Sequence, residues 1–268
     1  MNRQVPCALA IGGLDPGGGA GLAADLRAFA AAGVFGCAAV AALTVQSTAG
    51  LRSVRAVRST ELLAQVAEVL RHQRVRAVKV GALATEGNVL AVARLLARHR
   101  HIPAVVDTPM LPTRGRARLL SVRAIAALKK ELVPRATLVT VNVLEAEALL
   151  GERVRTLGEA HDAARALVKA GARAALVKGG HMGGPNAIDV LAVGTDVVEL
   201  RARRLESAPI HGSGCALASL VAGRIARRTV MPMRRDELVS AIRWAKRVHH
   251  SALANAVDVG ERMRVLVF

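Results

Sequence analysis

The chain has 268 residues, of which 52% are hydrophobic but only 1% aromatic, with no Tyr, so its core must be built from Ala, Val, Leu and Ile. That composition favours layered packing of helices on a sheet, and a chain of this length can bury a sizeable core without metals or disulfides. The formal net charge of +18 would suit a nucleic-acid partner, but the basic residues are scattered and bases would find almost no aromatic side chains to stack on. We therefore expect no nucleic-acid partner.

Strand-like and helix-like segments alternate along the first two thirds of the chain. In order, we predict strand 7–13, helix 21–32, strands 36–44 and 51–57, helix 60–73, strand 77–80, helix 86–98, strand 104–107, helix 121–131, strand 137–141, helices 144–150 and 158–170, and strand 174–178. Apolar periodicity and glycine stops support these assignments. Connections too long for hairpins imply a mostly parallel sheet covered by helices on both faces.

The last third begins with a predicted hairpin, 190–193 and 197–201, around Gly194, Thr195 and Asp196. Such a turn between two apolar runs is typical of an edge hairpin. Helices are predicted at 212–227 and 235–255. Because no repeat or Pro-rich linker divides the chain, the simplest organisation is a single domain spanning 1–268.

The cysteines and the uncharged stretches indicate the cellular compartment in which the protein is expected to reside. The three cysteines, Cys7, Cys37 and Cys215, are odd in number and lack C-x-x-C spacing, which argues against a disulfide framework or a structural zinc site. The uncharged stretch 28–48 is interrupted by Gly33 and Gly36, so we expect no membrane span. A reducing, cytoplasmic setting fits best.

A glycine-rich loop, 12–21, directly follows the first predicted strand. Ligands of open α/β sheets bind beyond the carboxyl ends of the strands, and glycines let a backbone approach a ligand closely. The loop lacks the acidic residue of a dinucleotide fingerprint and the Lys-Ser/Thr pair of a Walker A loop. A tight turn with no ligand remains an equal alternative for this segment by itself.

A second segment, 211–217, opens an apolar helix with Gly212, Ser213, Gly214 and Cys215. Consecutive amides at a helix start form an anion site, aided by the helix dipole, and a cysteine placed there should have a lowered pKa. The alternative interpretation is that Ser213 simply caps the helix and Cys215 is a small buried apolar residue.

Polar residues also follow three later strands. Asn142 and Glu145 have the spacing of a helix cap, which is the favoured interpretation on spacing alone, although a carboxylate beside an amide also suits Mg²⁺. Lys178 ends a strand before the Gly179-Gly180 turn, where a lysine could neutralise a transferring phosphate. Asp107 ends another strand, where it could orient metal-bound water or bond the turn.

Taken together, these segments resemble the hydroxymethylpyrimidine and phosphomethylpyrimidine kinases of the ribokinase-like superfamily. The similarity runs from about 8 to 227 and rests on segments 13–21, 42–48, 79–81, 142–147, 178–181, 189–191 and 211–217. Each motif is weak by itself, but their order and spacing are specific. The resemblance implies a three-layer α/β/α sandwich that uses ATP and Mg²⁺ and acts on the hydroxymethylpyrimidine of thiamine biosynthesis, then on its monophosphate. We also expect a homodimer.

The resemblance also implies roles for individual residues. Gly13, Asp25, Gln46 and Ala82 match pyrimidine-binding positions, and Cys215 matches the catalytic base. Gly212, Ser213 and Gly214 match the anion hole for the phosphoryl group, and Lys178 a phosphate-side lysine. Asn142, Lys178 and Gly180 would contact the nucleotide, whereas Asp107 and Glu145 would contact the metal.

This chain departs from the family pattern at several positions. Ala82 replaces a ring-contacting methionine, Asp107 is followed by Thr108-Pro109-Met110 instead of Pro-Val-Met, and the next loop carries Arg114, Arg116 and Arg118. Those arginines could grip a substrate phosphate, although solvated charges are the simpler interpretation. Two alternatives to the pyrimidine kinase therefore stay open: a pyridoxal kinase on the same scaffold, and a non-catalytic pyrimidine-binding protein.

Overall fold

The structure is a computed structural model that describes residues 5–107, 109–110, 119–205, 210–228 and 233–268. Its strands in the central sheet are β1 (Cys7–Leu14), β2 (Phe35–Ser47), β3 (Gly50–Ala56), β4 (Val75–Val80), β5 (Ala104–Asp107), β6 (Leu138–Asn142), β7 (Ala174–Lys178), β8 (Asn186–Val193) and β9 (Asp196–Arg203). These nine described strands are ordered β3-β2-β1-β4-β5-β6-β7-β8-β9. The six strands from β2 to β7 run parallel, and β3, β8 and β9 are antiparallel at the two edges.

Helices cover both faces of this sheet. They are α1 (Gly21–Ala31), α2 (Ser59–His72), α3 (Glu86–Arg98), α4 (Val122–Ala127), α5 (Val143–Leu150), α6 (Leu157–Lys169), α7 (Ser213–Ala226) and α8 (Arg235–Ala254). One apolar core packs α2 to α6 on one face, and a second packs α1, α7 and α8 on the other. This confirms the predicted α/β/α layers. Among the described residues, every helix is too short or too polar to span a bilayer.

The second core depends on small side chains. Eight of the fourteen residues of α7, from Ala216 to Gly223, are consecutive and fully or almost fully buried. A Cβ added at Gly223 would lie 2.7 Å from Ala32 Cβ, so the glycine allows α7 to lie directly against α1. The Ala-rich, aromatic-poor composition is therefore what allows this close layer.

The carboxyl ends of the parallel strands bring the polar candidates together. In the sheet register Asp107 of β5 pairs with Thr140 of β6, and Asn142 of β6 pairs with Lys178 of β7. Strand pairing thereby brings together residues that are 33 and 36 positions apart in the sequence. As predicted, polar side chains that end successive strands meet at one edge.

Two features differ from the sequence expectation. The predicted helix 121–131 is an α-helix only to Ala127 and continues as a π-helical turn, Leu128–Leu132. A second small sheet pairs β10 (Ile210–His211) in parallel with β11 (Arg264–Val265), and two-residue strands are too short to show an alternating pattern. Thr108, Arg114, Arg116 and Arg118, singled out from the sequence, lie outside the described residues.

Candidate active site

A cavity of about 720 Å³ lies along the carboxyl edge of the sheet. Of the predicted site residues, it is lined by Gln46, Asp107, Asn142, Glu145, Lys178, Gly180, Gly212, Ser213, Gly214 and Cys215. Gly13, Asp25 and Ala82, expected to contact a ring, do not line it. The structure therefore gathers most of the predicted phosphate-side residues, but only Gln46 of the predicted ring-binding set.

The start of α7 forms one wall of the cavity. Gly212 has φ +75° and a Cβ there would lie 2.1 Å from Gly19 O, so only glycine fits. Ser213 is the first helical residue and does not cap the helix; its Oγ lies 3.0 Å from His249 Nε2. The alternative in which Ser213 is the N-cap is therefore wrong, and the amides that follow Gly212 are available to an anion.

Lys178 reaches the same helix start. Its Nζ donates to Asp107 Oδ1 at 3.2 Å, and a Cβ placed on Gly214 would lie 3.2 Å from that ammonium. Burial opposes charging of Lys178, but Asp107 and Glu145 outweigh it and raise the lysine pKa. Thr140 Oγ1 donates to the same Asp107 oxygen at 2.9 Å. A permanently charged ammonium therefore stands between two carboxylates and the anion site.

Asn142 and Glu145 form a complete capping box at the start of α5, as the spacing predicted. Asn142 Oδ1 accepts from Glu145 N at 2.9 Å, and Glu145 Oε2 accepts from Asn142 N at 2.7 Å. Burial raises the pKa of Glu145 to about 7, with Lys178 opposing and Asp107 adding to the shift. Both residues nevertheless line the cavity, so the cap does not remove them from the site.

Cys215 does not have the lowered pKa expected from its place at a helix start. Burial raises the pKa of the thiol to about 12; Lys79 opposes this, while Asp107 and Asp25 add to it. The helix-start argument was wrong here because desolvation and two nearby carboxylates outweigh one lysine and the Gly21 amide. The side chain is partly exposed to the cavity and is protonated at neutral pH.

Asp25 lies beneath the cavity instead of lining it. Its carboxylate is fully buried, accepts two hydrogen bonds from Lys79 Nζ at 2.9 and 3.0 Å, and accepts a third from Ser219 Oγ at 2.7 Å. The predicted direct contact with a ring is therefore not what the described structure provides. The role visible for Asp25 is to hold the buried Lys79.

The sequence analysis missed three residues that organise the cavity. Asp15 accepts from the amides of Gly17 and Ala20 at 2.9 and 2.8 Å and so shapes the glycine-rich loop. Lys246 and His249 come from the inner face of α8, and Lys246 Nζ donates to Asp189 Oδ2 at 2.6 Å. Their i, i+3 spacing indicates a shared helix face, but no pattern in the sequence shows that this face meets the cavity.

His249 yields a prediction for stability as a function of pH. Burial lowers its pKa to about 4, despite the opposing contact with the backbone of Ser213. In the unfolded chain the pKa is about 6.5, so between pH 6.5 and 4 the unfolded state binds a proton that the folded state refuses. The wild type should therefore lose about 3 kcal/mol of stability, relative to His249→Gln, as the pH falls through that window.

Urea unfolding of both proteins at pH 7 and pH 4.5 measures this difference. The comparison with His249→Gln cancels other groups that titrate in the window, among them Glu145. Parallel pH dependences for the two proteins would contradict the assignment of a buried, neutral His249.

The cavity contains donors suited to Mg²⁺. Among the described residues no three His, Cys, Asp or Glu side chains cluster as a protein-only metal site. However, Mg²⁺ usually takes one or two carboxylates and completes its shell with water and substrate phosphates. Asp107 and Glu145 are two carboxylates at one edge of the cavity. The pKa of Glu145 is raised mainly by burial, and a cation placed beside the carboxylate would favour its ionised form. The donor set therefore fits the ion.

Solved structures similar to this one include kinases. An ADP complex of Bacillus subtilis pyridoxal kinase matches with a TM-score of 0.87 and 25% identity, covering 98% of this chain and 97% of that one. The phosphomethylpyrimidine kinase of Clostridium difficile 630 matches with a TM-score of 0.77 and 27% identity, covering 92% and 99%. Fold and site together define a small-molecule kinase of the ribokinase-like class.

Sequence comparison identifies the family within that class. The family model for phosphomethylpyrimidine kinase matches residues 15–266. The hydroxymethylpyrimidine/phosphomethylpyrimidine kinase of Rhizobium meliloti (strain 1021) is 38% identical over 259 residues, covering 95% of this chain and 93% of the relative. The chain belongs to the phosphomethylpyrimidine kinase family.

Proposed function

We propose that this protein transfers the γ-phosphoryl group of ATP to the hydroxymethyl oxygen of 4-amino-5-hydroxymethyl-2-methylpyrimidine, and then phosphorylates the resulting monophosphate. The observation that carries the proposal is the start of α7, where Lys178 and the amides after Gly212 converge beside Cys215 in one cavity. Family membership supports the pyrimidine as the substrate.

The phosphate end of the cavity has the charge that phosphoryl transfer requires. Lys178 and the amides of Ser213, Gly214 and Cys215 would stabilise negative charge on the transferring group, and most of the catalysis in such reactions is positioning and electrostatics. Asp107 and Glu145 would hold Mg²⁺, which supplies charge neutralisation on the nucleotide phosphates. Asn142 and Gly180 would contact the nucleotide from the adjoining loops.

At the acceptor end, the thiolate form of Cys215, a minor species at neutral pH, would receive the hydroxyl proton as the new P–O bond forms. Gln46 would bind the ring edge. Gly13 and Ala82, the other expected ring-binding residues, lie beside each other, since a Cβ on Gly13 would be 3.7 Å from Ala82 Cβ. Asp25 would act from beneath, through Lys79. We also propose a homodimer in the cytoplasm; the exposed apolar side chains of Leu43 and Val45 on β2 are compatible with a subunit contact.

The test measures ADP release by the wild type with Mg-ATP and, separately, hydroxymethylpyrimidine, its monophosphate and pyridoxal. We expect turnover on both pyrimidines, with kcat/KM at least about tenfold above that for pyridoxal, the factor that one well-placed hydrogen bond can provide. Preference for pyridoxal would contradict the substrate while keeping the reaction. Ligand binding without turnover on any of the three would contradict catalysis and favour the non-catalytic alternative.

A further inference from the structure

Asp15, Gln46 and His211 form a polar cluster at the acceptor end of the cavity. His211 Nε2 lies 2.8 Å from Asp15 Oδ2 and 3.1 Å from the side-chain nitrogen of Gln46. Asp15 and His211 are each 3% exposed, whereas Gln46 is half-buried and lines the cavity together with His211. The cluster therefore connects the glycine-rich loop, β2 and the segment before the anion site.

The hydrogen on the His211 ring is at Nε2. Burial raises the pKa of Asp15, but the hydrogen bonds from His211 and from the amides of Ala20 and Gly17 outweigh it and lower the pKa, so the carboxylate is ionised. An ionised carboxylate only accepts, so the ring nitrogen at 2.8 Å must donate. Nδ1 is buried without a partner among the described residues, and a hydrogen there would be an unsatisfied donor.

This hydrogen constrains the amide of Gln46. With the nitrogen of Gln46 facing His211 Nε2, two donors oppose each other at 3.1 Å. A half turn of the amide exchanges its oxygen and nitrogen. Only that orientation lets Gln46 accept from Nε2, whose single hydrogen is then shared between Asp15 and the amide oxygen. The two N–H groups of Gln46 then face the cavity, and the second lone pair of its oxygen remains free.

His211 is itself held in place. A Cβ on Gly19 would lie 2.3 Å from His211 Cδ2 and 3.0 Å from Val265 Cγ1, so the loop packs directly on the ring edge. Pairing of β10 with β11 joins His211 to Val265 and fixes the backbone on the other side. The donor is therefore part of a rigid frame, and the amide of Gln46 has to adapt to it.

We propose that His211 is a specificity-determining residue. It sets the orientation of the Gln46 amide, so that the N–H groups face the ring and select substrates with an acceptor nitrogen at that edge. The inference rests on the proposed function, because it assumes that Gln46 contacts the ring. It goes further by naming the edge: an acceptor nitrogen beside an exocyclic amino group is accepted, and an N–H beside a carbonyl is rejected.

The test compares 4-amino-5-hydroxymethyl-2-methylpyrimidine with its 4-oxo counterpart, whose edge has the opposite pattern of donor and acceptor. The wild type should favour the amino compound in kcat/KM by about 100-fold, since a mismatch leaves buried polar groups unpaired. His211→Leu frees the amide to turn, so the ratio should fall by about tenfold or more. His211→Gln, which can still donate to Asp15, should restore the ratio to within about threefold of the wild type.

Thermal unfolding and nucleotide binding are measured for each variant as controls for folding. A purely structural defect would lower kcat/KM for both substrates by the same factor. If His211→Leu does not fold, Gln46→Glu provides the second measurement. Two acceptors then face the ring, each edge finds one partner and one mismatch, and the preference for the amino compound should fall to within about threefold of unity. An unchanged ratio in His211→Leu or in Gln46→Glu overturns the inference while the proposed function stands. Absence of wild-type turnover on the amino compound overturns the proposed function instead.

Discussion

Cys215→Ala is expected to lower kcat/KM for the pyrimidine by about 10²- to 10⁴-fold, the range over which a positioned acid–base group contributes. The thiol lines the cavity beside Gly214, whose backbone lies next to the ammonium group of Lys178. No other described side chain at the start of α7 is positioned to take the hydroxyl proton, because Ser213 contacts His249. The loss should therefore appear in kcat, with ATP binding retained.

The raised pKa of Cys215 adds a signature in the pH profile. The pKa is about 12, so the fraction of thiolate rises about tenfold per pH unit across the neutral range. If the free enzyme needs the thiolate, kcat/KM should increase with nearly unit slope between pH 7 and pH 9. Cys215→Asp, whose carboxylate is ionised throughout, should be active with a much flatter profile.

Steady-state ADP release between pH 6.5 and 9.5 distinguishes these outcomes. Full activity of Cys215→Ala would remove the residue from the proton transfer. A flat wild-type profile together with an inactive alanine variant would leave Cys215 in contact with substrate but exclude it as the base.

Lys79→Met is expected to destabilise the protein by about 3–5 kcal/mol, because it leaves the Asp25 carboxylate buried without its cation. The pair is almost completely inaccessible, with side-chain exposures of 1% and 0%. Burial opposes charging of Lys79, but Asp25 in contact with it raises the lysine pKa. Urea unfolding at pH 7 gives the loss directly.

The double variant Lys79→Met/Asp25→Leu distinguishes the contribution of the charges to stability from the contribution of packing. Removing both charges removes the unpaired carboxylate, so the double variant should recover much of the lost stability. Arg58→Met is the exposed control, since Arg58 pairs with Glu61 on the surface, and it should change stability little. Equal losses for the single and double variants would mean that packing, not charge, makes Lys79 important.

The layered fold was predictable because its signals are local. Apolar runs such as 104–107 mark strands, and glycines such as Gly33 mark the ends of helices, within a few residues of sequence. For example, α3 begins and ends at the residues that the pattern predicted, Glu86 and Arg98. The capping box at Asn142 was predictable for the same reason. The phosphate-side residues followed from a rule about where ligands bind in parallel sheets.

What the sequence could not provide depends on distant neighbours. The pKa of Cys215 is set by burial and by Asp107 and Asp25, more than a hundred residues away in the chain. Likewise, the family resemblance assigned Asp25 to the ring, and nothing local in the sequence shows that Lys79 and Ser219 occupy its oxygens. Strand order and the short β10–β11 pair also arise from tertiary contacts.

The contact between Asp15 and His211 has a consequence for how the molecule assembles. It spans 196 positions, and the neighbouring bond from Ser219 to Asp25 spans 194. Contacts between residues so far apart in the chain form late in folding, because the entropic cost of closing a long loop precedes the stabilisation that the contact provides. A growing chain emerging from the ribosome would therefore build most of its sheet before the cavity at the start of α7 is complete. A partly synthesised chain would have its layers but no finished site.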